Sequence, residues 1–190
     1  MTTSFQMHYS GHHLNNTESK KTSTMTFRIE ERILTTLRTE SERNNVSLNT
    51  LVNQLLKRFV EWDMFEPKVG MIPIAKPILV ELFNKMSQEE ITKMALGIGK
   101  DVIHDIVLFM KNRMDLDSFL SWFEIRMTSS LTETNHSIQD GYHVYILRHE
   151  LGHNWSLYHK VILELMFNEV FGKAVEVSTT NNLISFKFRV

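Results

Sequence analysis

Ser23-Thr24-Met25-Thr26-Phe27-Arg28-Ile29 is the stretch whose reading decides the fold. Apolar Met25, Phe27 and Ile29 alternate with polar Thr24, Thr26 and Arg28, so the segment predicts a strand with one greasy and one polar face. Glu30-Glu31 follows, then a helix carrying Ile33, Leu34 and Leu37 on one side. Asn44-Asn45 marks a turn, because Asn tolerates left-handed backbone, and Ser47 reads as an N-cap. Behind it Leu48, Leu51, Val52, Leu55, Leu56, Phe59 and Val60 recur at three- and four-residue spacing, the most regular amphipathic pattern in the chain.

One strand and two helices in about forty residues bury too little core to stand alone, and the strand lacks a neighbour to bond to. A two-fold dimer resolves both problems. The two strands pair antiparallel, the helices pack across the axis, and Met25, Phe27, Ile29, Leu51 and Leu55 form the shared core.

This order and spacing resemble the ribbon-helix-helix family of DNA-binding transcriptional regulators, over residues 22–62. The resemblance is carried by the strand alternation, by Arg28, and by Val46-Ser47-Leu48-Asn49-Thr50 opening the second helix. Many members have Gly in the inter-helix turn, where this chain has Asn44-Asn45. The resemblance implies a homodimeric regulator whose paired ribbon enters the major groove of double-stranded DNA, with Thr24, Thr26 and Arg28 at the base edges. Arg28 would fork onto a guanine, and the threonines would hydrogen-bond a base or meet a thymine methyl. The positive end of the second helix offers a phosphate seat at Ser47, Leu48 and Asn49. Lys20 and Lys21, just ahead of the strand, are placed for further phosphate contacts.

Composition bounds the rest. The 190 residues carry a formal net charge of −1, so no global electrostatic case for nucleic acid exists. Locally, eight basic side chains stand against five acidic ones between Lys20 and Trp62, a modest positive bias. The chain has no cysteine, which excludes disulfides and thiolate chemistry. No apolar run reaches the roughly 18–20 residues that cross a bilayer, and the N-terminus lacks the core of a secretory signal. A cytoplasmic protein without membrane contact and without a cofactor is expected.

The expected organisation is α+β. Residues 1–21 read as a disordered arm, where His8, His12 and His13 could catch a metal adventitiously. Residues 22–63 form the ribbon-helix-helix domain. Residues 64–77 form a linker broken by Pro67, Gly70, Pro73 and Pro77. Residues 78–190 form a mainly helical domain ending in a small ββαββ antiparallel sheet. Its helices are expected at Ile78–Met86, behind a capping box Ser87-Gln88-Glu89-Glu90, over about Asp101–Arg113, and after a cap at Asp115 or Asp117. Asp140-Gly141 signals a tight hairpin, a helix should run from near Trp155 to Phe171, and Ala174–Ser178 with Leu183–Phe188 should close a second hairpin. This domain is expected to oligomerise or to sense a small-molecule effector.

One motif argues for different chemistry. His149-Glu150-Leu151-Gly152-His153 matches H-E-x-x-H, and His159 falls where a third ligand sits in H-E-x-x-H-x-x-G-x-x-H. It resembles a zinc protease site, with His149, His153 and His159 as ligands and Glu150 as general base. That chemistry needs His149 and His153 one helical turn apart, yet Tyr142–Leu147 leads into them as a strand. Ser156 stands where the motif has Gly, and a continuous helix would place His159 about 240° around the axis from His153. A strand–loop–helix junction is expected instead, with Asn154 or Ser156 as cap and Trp155 inward. The alternatives to a DNA-binding regulator are therefore a zinc-dependent metallohydrolase and an antitoxin-like repressor with a protein partner.

Overall fold

The computed structural model describes residues 22–130 and 132–189. The chain divides at Asp63/Met64 into two compact units. Lys20, Lys21 and the expected arm lie outside the described residues.

In the first unit, α1 (Glu31–Arg43) opens on an acidic residue and closes on a basic one, each matched to its end of the helix dipole. It stops because Asn45 turns left-handed, at φ 52°. α2 (Leu48–Arg58) starts at Ser47, whose hydroxyl accepts the Thr50 N–H at 3.0 Å, as a capping serine should. A π-helical turn, Phe59–Asp63, continues it, and Arg58 donates to Asp63 at 3.1 Å.

The second unit is α+β. α3 (Lys76–Asn84) carries Pro77 in its first turn, where the missing N–H costs no helix bond. It begins earlier than the apolar periodicity indicates, inside the expected linker. α4 (Gln88–Met94) opens on the full capping box of Ser87 and Glu90. A π turn at Ala95–Gly99 leads directly into α5 (Lys100–Lys111), which ends where Asn112 adopts φ 59°. α6 (Leu116–Ser129) is capped by Asp115, which accepts the Ser118 N–H at 2.8 Å.

Two hairpins and one helix complete the unit. β1 (Glu133–Gln139) and β2 (Tyr142–Arg148) are joined by Asp140 and Gly141, both at positive φ, the backbone that a two-residue hairpin turn needs. α7 (His153–Leu165) runs on into a π turn at Met166–Val170 and ends before Gly172. β3 (Val175–Thr179) and β4 (Leu183–Arg189) form the second hairpin. The sheet order is β1-β2-β4-β3, antiparallel throughout, so the two hairpins meet along β2 and β4.

One sheet face is apolar. Tyr145 and Leu147 on β2 and Ile184, Phe186 and Phe188 on β4 are buried, together with Phe119 and Phe123 of α6 and Ile162, Leu163, Met166 and Phe167 from α7 onward. The rings interlock: Phe123 meets Phe186 edge-on at 5.8 Å, and Phe167 reaches Phe188 at 4.7 Å. Each such side chain contributes roughly 1.5–3 kcal/mol by leaving water.

The join between β2 and α7 depends on backbone that only glycine adopts easily. Gly152 sits at φ 84° as the N-cap of α7, and a Cβ there would meet nothing closer than Asn84 Oδ1 at 3.5 Å. Gly152→Ala should therefore destabilise the fold by about 1–3 kcal/mol through backbone strain alone. A urea titration of both proteins measures this directly.

Candidate nucleic-acid interface

Residues 22–30 are exposed throughout and form neither helix nor strand in the single chain. The sequence predicts a strand over Ser23–Ile29, and the difference has a plain cause. A strand is completed by bonds to a neighbour, and the four-stranded sheet does not include this segment. Thr24, Thr26 and Arg28 are exposed, and so are the apolar residues between them: Met25 is 74% and Phe27 55% exposed, and Ile29 is also open.

The apolar stripe of the helices shares this condition. Leu51 is buried, but Leu55, Leu56, Phe59 and Val60 are exposed, Val60 by 58%. On α1, Ile33 is exposed as well, and a shallow depression there is lined by Arg32, Ile33, Thr36 and Leu37. Ser47 spends its hydroxyl on the cap, where it also pairs with Thr50 Oγ1 at 2.8 Å. The N–H groups of Leu48 and Asn49 occupy the first helical positions, where no intrahelical carbonyl faces them. No acidic residue stands in that first turn, so the positive end of α2 is not countered locally. Asn49 Oδ1 accepts from Asn53 Nδ2 at 3.3 Å, which fixes its amide along the helix.

The H-E-x-x-H stretch is arranged differently from a zinc site. His149 follows the end of β2 and is buried, His153 begins α7 and is exposed, and His159 lies buried along α7. Glu150 is exposed and paired with Lys76. Among the described residues, no three His, Cys, Asp or Glu side chains converge on a point fit for a metal ion. The residues present do not fit that group.

What they build is a junction. The Leu151 N–H donates to His149 Nδ1 at 3.2 Å, which places the imidazole proton on Nε2. That Nε2–H then points at Ser156 Oγ, 2.8 Å away, and Ser156 reaches Gly152 O at 3.4 Å. The tautomer is the wrong one for His149 to take a proton from Ser156, so the pair is no nucleophile–base couple. Trp155 is inward as the sequence indicates, with ring centroids 4.5 Å from His149 and 3.7 Å from His159. His159 Nδ1 bonds to Trp155 O at 3.0 Å.

Neither expected cap is used at this helix. Gly152 is the N-cap, with no side-chain bond, because Ser156 is held by His149 and Asn154 turns to α3. Asn154 Nδ2 donates to Phe83 O at 2.8 Å and Met86 O at 2.7 Å, tying the start of α7 to the end of α3 and the turn after it. Nothing in the local sequence signals this long-range tie.

No helix among the described residues is long and apolar enough to cross a membrane. No family model, curated protein or solved structure matches the chain.

Burial holds both junction imidazoles neutral, His149 down at about 4 and His159 at about 3. A histidine with a depressed folded value gives its full stability above the unfolded value of about 6.5 and loses it as pH falls toward the folded one. The urea midpoint should therefore drop between pH 6.5 and pH 4, and His149→Gln should flatten part of that drop. An equal slope in both proteins would show that the His149 imidazole does not carry it.

Proposed function

We propose that the protein is a sequence-specific DNA-binding transcriptional regulator that acts as a homodimer, with its paired ribbon in the major groove. The observation that carries this reading is the exposure of the first unit's apolar side chains on the single chain. Met25, Phe27, Ile29, Ile33, Leu55, Leu56, Phe59 and Val60 are all open to solvent. Apolar side chains left open in this number on a lone chain support a binding face, and these are the positions that a two-fold ribbon and its helices would cover.

The energetics favour the same partner. Burying each of these side chains contributes up to roughly 1.5–3 kcal/mol, and a symmetric interface counts every one twice. Together they offset an association cost of roughly 4–15 kcal/mol. Pairing the two 22–30 segments also gives their backbone N–H and C=O groups a ladder.

The dimer would turn Thr24, Thr26 and Arg28 outward on one ribbon face. Base edges are read by these three, and phosphates by the α2 N-terminus at Ser47, Leu48 and Asn49, with Lys20 and Lys21 beside the ribbon. Two-fold symmetry gives a pseudo-palindromic operator. The second unit serves oligomerisation or the sensing of an effector.

Arg28→Ala should weaken operator binding by about 1–3 kcal/mol while leaving the dimer intact. Ser47→Ala and Asn49→Ala should lower affinity for all DNA sequences alike, because their contacts are to phosphate. Phe27→Asp should leave a monomer that no longer shifts the operator. Gel-shift titration on a fragment selected from the gene's own upstream DNA, with light scattering for the mass, reads all three. A wild-type chain that stays monomeric at high concentration overturns the proposal, as does an Arg28→Ala protein with unchanged operator affinity.

A further inference from the structure

The β1–β2 hairpin places two imidazoles in direct contact on the core side of the sheet. His136 pairs across the strands with Tyr145, and His143 pairs with Ile138, so the two histidines stand diagonally on one face. His136 Nε2 lies 3.0 Å from His143 Nδ1. Each ring is backed by another: His136 stacks on Tyr145 with centroids 4.1 Å apart, and His143 stacks on Phe188 at 5.3 Å. The pair is not sealed. Both rings are half-buried, and Ile138 on the same face is 62% exposed, so solvent reaches the turn end of this layer.

We propose that His136 and His143 form a two-histidine site for a divalent transition cation of tetragonal preference, copper(II) before nickel(II). Imidazole nitrogen binds such ions at about 2.0–2.1 Å, and two ligands at right angles then stand about 2.9 Å apart, close to the observed separation. The preference for copper(II) follows the general order in which imidazole nitrogen binds divalent first-row ions. The stacking partners hold both rings before any ion arrives, which removes the ordering cost that an exposed pair would incur.

Proton balance is simple. Without metal, one ring's N–H lies between the two nitrogens. On binding, each neutral ring keeps a single N–H, moved to its outer nitrogen, His136 Nδ1 and His143 Nε2. Water completes the coordination. The site lies in the second unit and does not depend on the DNA-binding proposal.

The test uses full-length protein with His8, His12 and His13 replaced by Ala, which removes the N-terminal histidines as competing ligands. Titration with copper(II) sulfate, followed by calorimetry and electron paramagnetic resonance, should show one equivalent bound with two nitrogen ligands. His136→Phe and His143→Phe keep a ring in each stack and should each lower affinity by more than the roughly tenfold that loss of an outer-shell partner alone costs. Circular dichroism confirms that the variants remain folded. Copper binding unchanged in the double variant overturns the proposal. So does a spectrum without nitrogen coupling in the protein that retains both histidines, a result that relies on neither substitution.

Discussion

A sheet with one apolar face must be covered, and in this chain that constraint arranges most of the second unit. Tyr145, Leu147, Ile184, Phe186 and Phe188 all project to one side of β2 and β4 and are buried. Exposing them would cost more than the few kilocalories by which a domain of this size is stable. α6 and α7 supply the cover, and the backbone between β2 and α7 has to reverse sharply to deliver it. The positive φ of Gly152, the His149–Ser156 bond and the Asn154 tie to the end of α3 all serve that reversal. The H-E-x-x-H resemblance falls on residues recruited for this turn, which is why its histidines diverge.

The two units stand in different relation to this rule. The second buries one face of its sheet within one chain, while Ile72, Leu82, Ile98 and Phe109 of its helices and loops stay exposed. The first leaves its alternating segment without a ladder and its helix stripe uncovered, while its local signals are all in order: the cap at Ser47, the left-handed Asn45, the charges at the ends of α1. Local consistency around an open apolar stripe is what the proposed second copy would complete.

Much of this was legible in the residues because it rests on short-range chemistry. The Asp140-Gly141 turn, the Ser87–Glu90 capping box and the Asp115 cap each need only neighbours within three positions, and each stands where its residues indicate. The ββαββ order followed from period and turn signals. The start of α3 was obscured because Pro77, read as a helix breaker, is compatible with a first turn. Asn154, Ser156 and the His136–His143 pair were invisible for another reason: their partners lie across loops or strands, and side-chain type alone does not say which carbonyl or ring a residue will meet. Arg28 remains readable only through its position in the alternation, since an exposed arginine has no structural signature of its own.

The strand order leaves β1 and β3 at the rims of the sheet. A rim strand is a template for any unpaired segment, and residues 22–30 of the same chain are such a segment. β3 is only five residues long, and β1 reads Glu-Thr-Asn-His-Ser-Ile-Gln, mostly polar on both faces. β1 presents no matching greasy row to Met25, Phe27 and Ile29, whereas β3 carries Val175 and Val177 beside Phe188 and Phe186 and is guarded by its shortness alone. The polar make-up of β1 and the brevity of β3 thus leave residues 22–30 little to pair with in their own chain.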